Sequence, residues 1–312
     1  MLTVLLSIAP IFVLVILGHA LRRGGIPSIE FWNLNDRLVY WVLVPALLFS
    51  NISRMPLTAG LIGNYAIAIL GGFTAAFLFG LLMNRFSESP EVGSSILQGV
   101  ARHNTFIALA VAERLYGSDA LALAALGSAL LIPATNLSIV PALAIMLRKS
   151  DGRGLFMAIT RELARNPLLL AVGSGLLVNY LGWKEIPVLH DVARLLGNAA
   201  LPIVLLCVGA NIHVRQMAAS AKPILLSIAG KLLVFPLVIF VLARWIGLSE
   251  TETMVAVLFG LVPTAPSGFT LARQMGGDAP LMAAIITIQT LLALVSMPLA
   301  VTLLATWFAW LG

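Results

Sequence analysis

Apolar residues run through this chain in blocks of about 20, set apart by short polar joints. An α-helix of that length spans the ~30 Å hydrocarbon core of a bilayer. Ten such spans are predicted, at 2–22, 33–53, 58–84, 90–115, 119–147, 161–181, 190–212, 220–245, 250–274 and 279–311. The longest joint, RKSDGRGLF from Arg148, falls between the fifth and sixth spans, near the midpoint. The pattern predicts an all-α polytopic membrane protein with almost no chain left for an extramembrane domain. Arginines follow the first apolar block instead of preceding it, so the block reads as a retained helix and not a removed signal.

Composition agrees. The chain is 60% hydrophobic and 10% charged, against roughly 25% charged in soluble domains, which excludes a water-soluble fold of this size. The net charge of +6 could suggest nucleic acid as a partner, but the distribution of the cations argues for membrane lipid instead. With the N-terminus outside, one face receives Arg22, Arg23, Arg37, Arg85, Arg148, Lys149, Arg153, Arg161, Arg165, Arg215, Lys222 and Arg273. The other receives Arg54, Arg114, Lys184, Arg194 and Arg244. The richer face is expected to be cytoplasmic, leaving both termini extracytoplasmic. Only Arg102 and Lys231 remain within spans. The single Cys207 excludes an internal disulfide, and no residue pattern calls for a cofactor or metal.

The two halves resemble each other. Pro10 aligns with Pro167, Ile26–Pro27 with Ile186–Pro187, and Asn51–Ile52 with Asn211–Ile212. At one constant offset Glu91, Arg114, Gly117, Asp119 and Ala120 meet Glu250, Arg273, Gly276, Asp278 and Ala279. This predicts two five-helix repeats, residues 1–150 and 151–312. Five is odd, so the repeats enter the membrane from opposite sides, an arrangement used for alternating access in secondary transporters.

The same offset sets Asn104 opposite Pro263, and so ARHNTFIA in the fourth span opposite LVPTAPSG in the ninth. Pro263 and Pro266 each remove a backbone donor, and Asn104 competes for backbone groups. Broken backbone at membrane depth persists only where it is buried in protein or lines a wet cavity. Paired breaks in inverted repeats point to a binding site, and helix N-termini after the breaks favour an anion. The candidate substrate-binding residues are therefore Asn104, Arg102, Thr105, Pro263, Thr264, Pro266, Ser267, Lys231, Asn136 and Gln289. For Arg102 and Lys231 a packing role competes with a role as site cation; for His103 hydrogen-bonded packing is the preferred reading. With Arg102 and Lys231 present and no carboxylate, the cavity is expected to be positive.

The segments LQGVARHNTFIALAVAERLYG and PTAPSGFTLARQMGGDAPLMAAIIT, together with NPLLLAVGSGLL and LPIVLLCVGANI, resemble the auxin efflux carrier family in its bacterial, malonate-carrier-like branch. The resemblance covers essentially the whole chain. It implies a scaffold of spans 1, 2, 6 and 7, a mobile transport domain of spans 3, 4, 5, 8, 9 and 10, and broken helices 4 and 9 crossing near mid-membrane. It also implies a homodimer through the scaffold and, from the bacterial branch, an inner-membrane location. Plant members carry proline at both crossing points, whereas Asn104 stands at the first one here.

The function expected is secondary transport of a small organic anion, a carboxylate of auxin or malonate type. A cation/proton antiporter of the same repeat plan is the alternative, but it needs buried carboxylates. The 13 acidic residues all fall in joints or within about a turn of a predicted helix end. A passive anion channel competes from another class. An enzyme is not expected, since no paired carboxylates and no second histidine at ligand spacing accompany His103.

Overall fold

The computed structural model describes residues 2–55, 59–147, 157, 160, 161, 163–183, 185–212 and 221–311. These residues form helices, with no strand among them. In chain order they are α1 (Leu2–Arg23), α2 (Ile29–Leu38), a π-helical turn (Val39–Leu43), α3 (Val44–Ile52), α4 (Ala59–Asn84), α5 (Pro90–Ala101) and α6 (Thr105–Met146). Then follow α7 (Pro167–Tyr180), α8 (Leu189–Ala210), α9 (Ala221–Ala229), a second π-helical turn (Gly230–Val234) and α10 (Phe235–Ile246). The last three are α11 (Glu250–Leu261), α12 (Ser267–Met275) and α13 (Ala279–Leu311).

Local chemistry sets many of the boundaries. Ser28, Ser89 and Asn166 cap α2, α5 and α7 through their side chains, and Pro90 and Pro167 open their helices at a position where a missing N–H costs nothing. Ser249 and Glu252 form a reciprocal capping box on α11. Gly247 and Gly276 end α10 and α12 in the left-handed conformation. Within α6 the joint expected between 115 and 119 falls at Gly117, whose φ of 81° interrupts the helix.

Among the described residues six segments are long and apolar enough to cross a membrane: Val4–Arg23, Gly60–Asn84, Pro90–Met146, Leu189–Ala210, Ala221–Ile246 and Ala279–Ala309. Pro90–Met146 contains the expected fourth and fifth spans. The expected second, sixth and ninth spans do not stand as single long apolar helices, for three different reasons. The second carries Asp36 and Arg37 and is divided by a π-turn. In the sixth the apolar helix among the described residues is Pro167–Tyr180, 14 residues long. The ninth is broken between Leu261 and Ser267.

The interior centres on α5 and α11, where Gly93–Ala101 and Thr253–Leu261 are buried without exception. Helices buried on every face must be enclosed by others; α4, α6, α9, α10 and α13 do this. Outer helices expose large apolar side chains such as Leu6, Val13, Ile16, Leu78, Leu170, Leu237 and Leu299, as lipid contact requires.

The helix pair α1 and α8 packs with backbones nearly touching. A Cβ on Gly18 would collide with the Leu206 carbonyl, and one on Gly209 with the Val15 carbonyl. Small residues at a membrane helix interface permit this approach, and a backbone carbonyl cannot step aside. Gly209→Ala is expected to cost about 1–3 kcal/mol through overpacking. Gly173→Ala, where a Cβ meets nothing within 4 Å, should leave the melting temperature unchanged. Equal melting of both variants and wild type would contradict the close crossing.

Candidate functional site at the helix breaks

The two breaks meet. α5 ends at Ala101, Arg102 and Asn104 adopt extended backbone, and α6 starts at Thr105. α11 ends at Leu261, Val262 is extended, and α12 starts at Ser267. The Asn104 N–H donates to the Pro263 carbonyl at 2.9 Å, which joins the segments where neither is helical.

Each break strands backbone groups, and buried polar groups need partners. Pro263 has no N–H to offer the Phe259 carbonyl four residues earlier; Lys231 Nζ donates to that oxygen at 2.9 Å. The Thr264 N–H donates to Gln289 Oε1 at 2.9 Å. The Gly99 carbonyl, left over at the end of α5, accepts from Thr264 Oγ1 at 2.6 Å and from Gln289 Nε2 at 3.0 Å. Gln289 Nε2 also donates to Ser227 Oγ at 2.9 Å. Lys231, Thr264 and Gln289 are fully buried and lie behind the crossing, as its internal ties.

In front of the crossing is a cavity of about 670 Å³, within the range of ligand sites. One wall is the crossing itself, with Arg102, His103, Asn104, Thr105, Ala265, Pro266 and Ser267, continued by Thr270 of α12 and by Thr135 and Asn136 of α6. The facing wall comes from α2, the first π-turn and the C-terminal end of α8, with Asp36, Tyr40, Trp41, Val204, Cys207 and Asn211. Asn104 Oδ1 accepts from the Ile107 N–H at 3.2 Å and caps α6; the remaining amide group, Nδ2, belongs to a cavity-lining side chain. Arg102 Nη1 donates to Ser267 Oγ at 3.1 Å and ties one break to the other at the cavity surface.

Of the ten candidates, the structure brings Asn104, Arg102, Thr105, Asn136, Pro266 and Ser267 together on the cavity wall. Pro263, Thr264, Lys231 and Gln289 do not line it. The expectation of a cavity without a carboxylate needs correction: Asp36 lines it, accepting from Asn211 Nδ2 at 2.9 Å, while Lys231 does not. The charged lining is then Arg37 and Arg102 against Asp36. Arg22 Nη1 donates to Asn211 Oδ1 at 3.0 Å and extends this network into α1. Asp36, Asn211 and Asn166 escaped the sequence reading because polar residues near helix ends look like caps. Asn211 carried one usable signal, its repeat partner Asn51.

A second, smaller cavity of about 290 Å³ lies farther along α3 and α8, lined by Leu47, Asn51, Arg54, Glu113, Asp119, Arg194 and Gly197 among others. Val44 of α3 and Ala200 and Leu201 of α8, all buried, stand between the residues that line the two cavities.

Residues 152–301 match the profile of a protein family described as Membrane transport protein. Two relatives align over nearly the whole chain. One, from Rhizobium meliloti (strain 1021), is named "Putative malonate transporter" and is 26% identical over 300 residues, covering 92% of this chain and 91% of its own length. The other, from Methanothermobacter thermautotrophicus, is named "Uncharacterized transporter" and is 24% identical over 301 residues, covering 94% of this chain and 96% of its own.

Proposed function

We propose that this integral membrane protein is a secondary transporter of a small carboxylate, a reading that starts from the match of residues 152–301 to the membrane transport protein family. The observation that carries the reading is the meeting of two broken helices on the wall of a ligand-sized cavity. The carboxylate sits against the Asn104 amide, the N–H groups of Thr105 and Phe106 at the start of α6, and Arg102. A helix N-terminus favours negative charge through its free donors and dipole.

Several observations support two inverted five-helix repeats, 1–150 and 151–312. Gly117 and Gly276, aligned by the repeat offset, both adopt positive φ, as do Gly25 and Gly182 at the ends of the expected first and sixth spans. α1 packs on α8 and α3 on α7, contacts that exchange when the halves exchange. The offset that carries Asn51 onto Asn211 also carries Leu47 onto Cys207 and Arg37 onto Gly197. In each pair one residue lines the small cavity and the other the large one.

Two cavities lined by repeat-equivalent positions, on one seam and separated by apolar packing, suit alternating access. The large cavity is the open side and the small one the collapsed opposite side. By the distribution of Lys and Arg the large cavity faces the cytoplasm. α1, α2–α3, α7 and α8 form the scaffold, through which a homodimer assembles, and the remaining helices move.

The test is counterflow in proteoliposomes preloaded with unlabelled malonate, the compound in the name of the Rhizobium relative. Labelled malonate, acetate and indole-3-acetate are offered outside. Saturable, transient accumulation of at least one of them is expected. Linear uptake without counterflow would indicate a channel, and no uptake of any of them would sink the carboxylate reading.

A further inference from the structure

We infer that His103 is a second anion donor of the cavity, acting through its Nε2–H; this rests on the carboxylate reading above. The sequence alone favours a packing role for this residue, and part of that role exists: the ring stands edge-on to Phe259 with centroids 5.5 Å apart. The ring also lines the cavity although it is only 6% exposed. Its Nδ1 is enclosed and has no hydrogen-bond partner among the described residues. The two nitrogens therefore have different surroundings. Nδ1 faces the packed interior, which leaves Nε2 as the ring nitrogen able to reach the cavity.

That asymmetry selects a tautomer. A neutral imidazole carries its proton on one nitrogen only, and an enclosed donor without an acceptor bears its full desolvation penalty. The proton therefore resides on Nε2, where the ring becomes a donor aimed at a ligand. Arg102 precedes His103 in the chain and lines the same cavity. Asp36 is the acidic side chain on the facing wall. An anion held by Asn104 and Arg102 thus meets a neutral donor between them in sequence.

Malonate binding to the purified full chain is measured by calorimetry, with melting temperature, for wild type, His103→Phe and His103→Gln. Phe keeps a ring against Phe259 but removes the donor; Gln restores an N–H at the reach of Nε2. His103→Phe is expected to lose roughly ten- to a hundredfold in affinity with its melting temperature kept. His103→Gln is expected to stay within about threefold of wild type, since it retains one donor of the same kind. Nitrogen NMR of labelled histidine, with the His103 signal assigned by its absence in His103→Gln, should show a protonated Nε2 that shifts on malonate addition. Wild-type affinity in His103→Phe overturns the inference, as does loss of binding in both variants together with a fall in melting temperature. If wild type binds none of malonate, acetate and indole-3-acetate, the carboxylate reading itself fails, an outcome separable from loss confined to the Phe variant.

Discussion

Asn104→Asp is expected to weaken carboxylate binding more than a hundredfold without destabilising the protein. The change preserves shape and keeps an oxygen to accept from the Ile107 N–H, the cap that starts α6. Asp caps a helix as well as Asn does, and a negative charge at a helix N-terminus is favourable. What disappears is the Nδ2 donor. A hydrogen bond to a charged group contributes about 1.5–3 kcal/mol, and two like charges 4 Å apart repel by about 4 kcal/mol at an effective dielectric of 20. Either term alone approaches or exceeds the ~2.7 kcal/mol that corresponds to a hundredfold. Asn104→Ser separates the two effects: it retains a cap without the amide or the charge, and should lose roughly ten- to a hundredfold. Calorimetric affinity for malonate beside the melting temperature decides the matter. If Asn104→Asp binds as wild type does, the anion does not sit at the crossing, and the Asn136, Thr135 and Asn211 side of the cavity becomes the place to look.

Gln289→Leu should do the reverse, lowering stability strongly and affinity only as a consequence. Gln289 touches three groups at the crossing: the Thr264 N–H, the Gly99 carbonyl and Ser227 Oγ. Leucine matches its size but satisfies none. Gly99 keeps Thr264 Oγ1 as a donor, so the exposed losses are the Thr264 N–H and the Ser227 hydroxyl. A buried polar group left without a partner costs about 1–3 kcal/mol, so the two together cost roughly 2–6 kcal/mol. Interhelical hydrogen bonds in membranes average only about 0.6 kcal/mol because the groups find other partners. The Thr264 N–H is different: the chain around it is pinned by Pro263, Pro266 and the bond from Asn104 to Pro263, so it has little freedom to find an alternative. Thermal unfolding in detergent measures the loss. A Gln289→Leu protein that melts with wild type and yet fails to bind malonate would return Gln289 to the cavity wall.

The amino-acid sequence by itself determined the helical class, most of the helix boundaries and the places where helices must break. These are local properties. Proline lacks an N–H wherever it stands, serine before a helix caps it, and an apolar block of 20 residues needs no distant partner to be apolar. Thus the interruptions at Arg102–Asn104 and Val262–Pro266 were legible from ARHNTFIA and LVPTAPSG. What only the tertiary structure decided is which partner each buried polar residue found. Lys231, Thr264 and Gln289 looked like cavity residues because a polar side chain in an apolar span must meet something polar. That something was backbone stranded by the breaks, at Phe259 and Gly99. Asp36 and Asn211 looked like helix-end residues, and the packing of α2 against α8 turned them toward the cavity. A sequence states that a polar group requires a partner; the identity of the partner depends on contacts between residues far apart in the chain, and those exist only once the helices have packed.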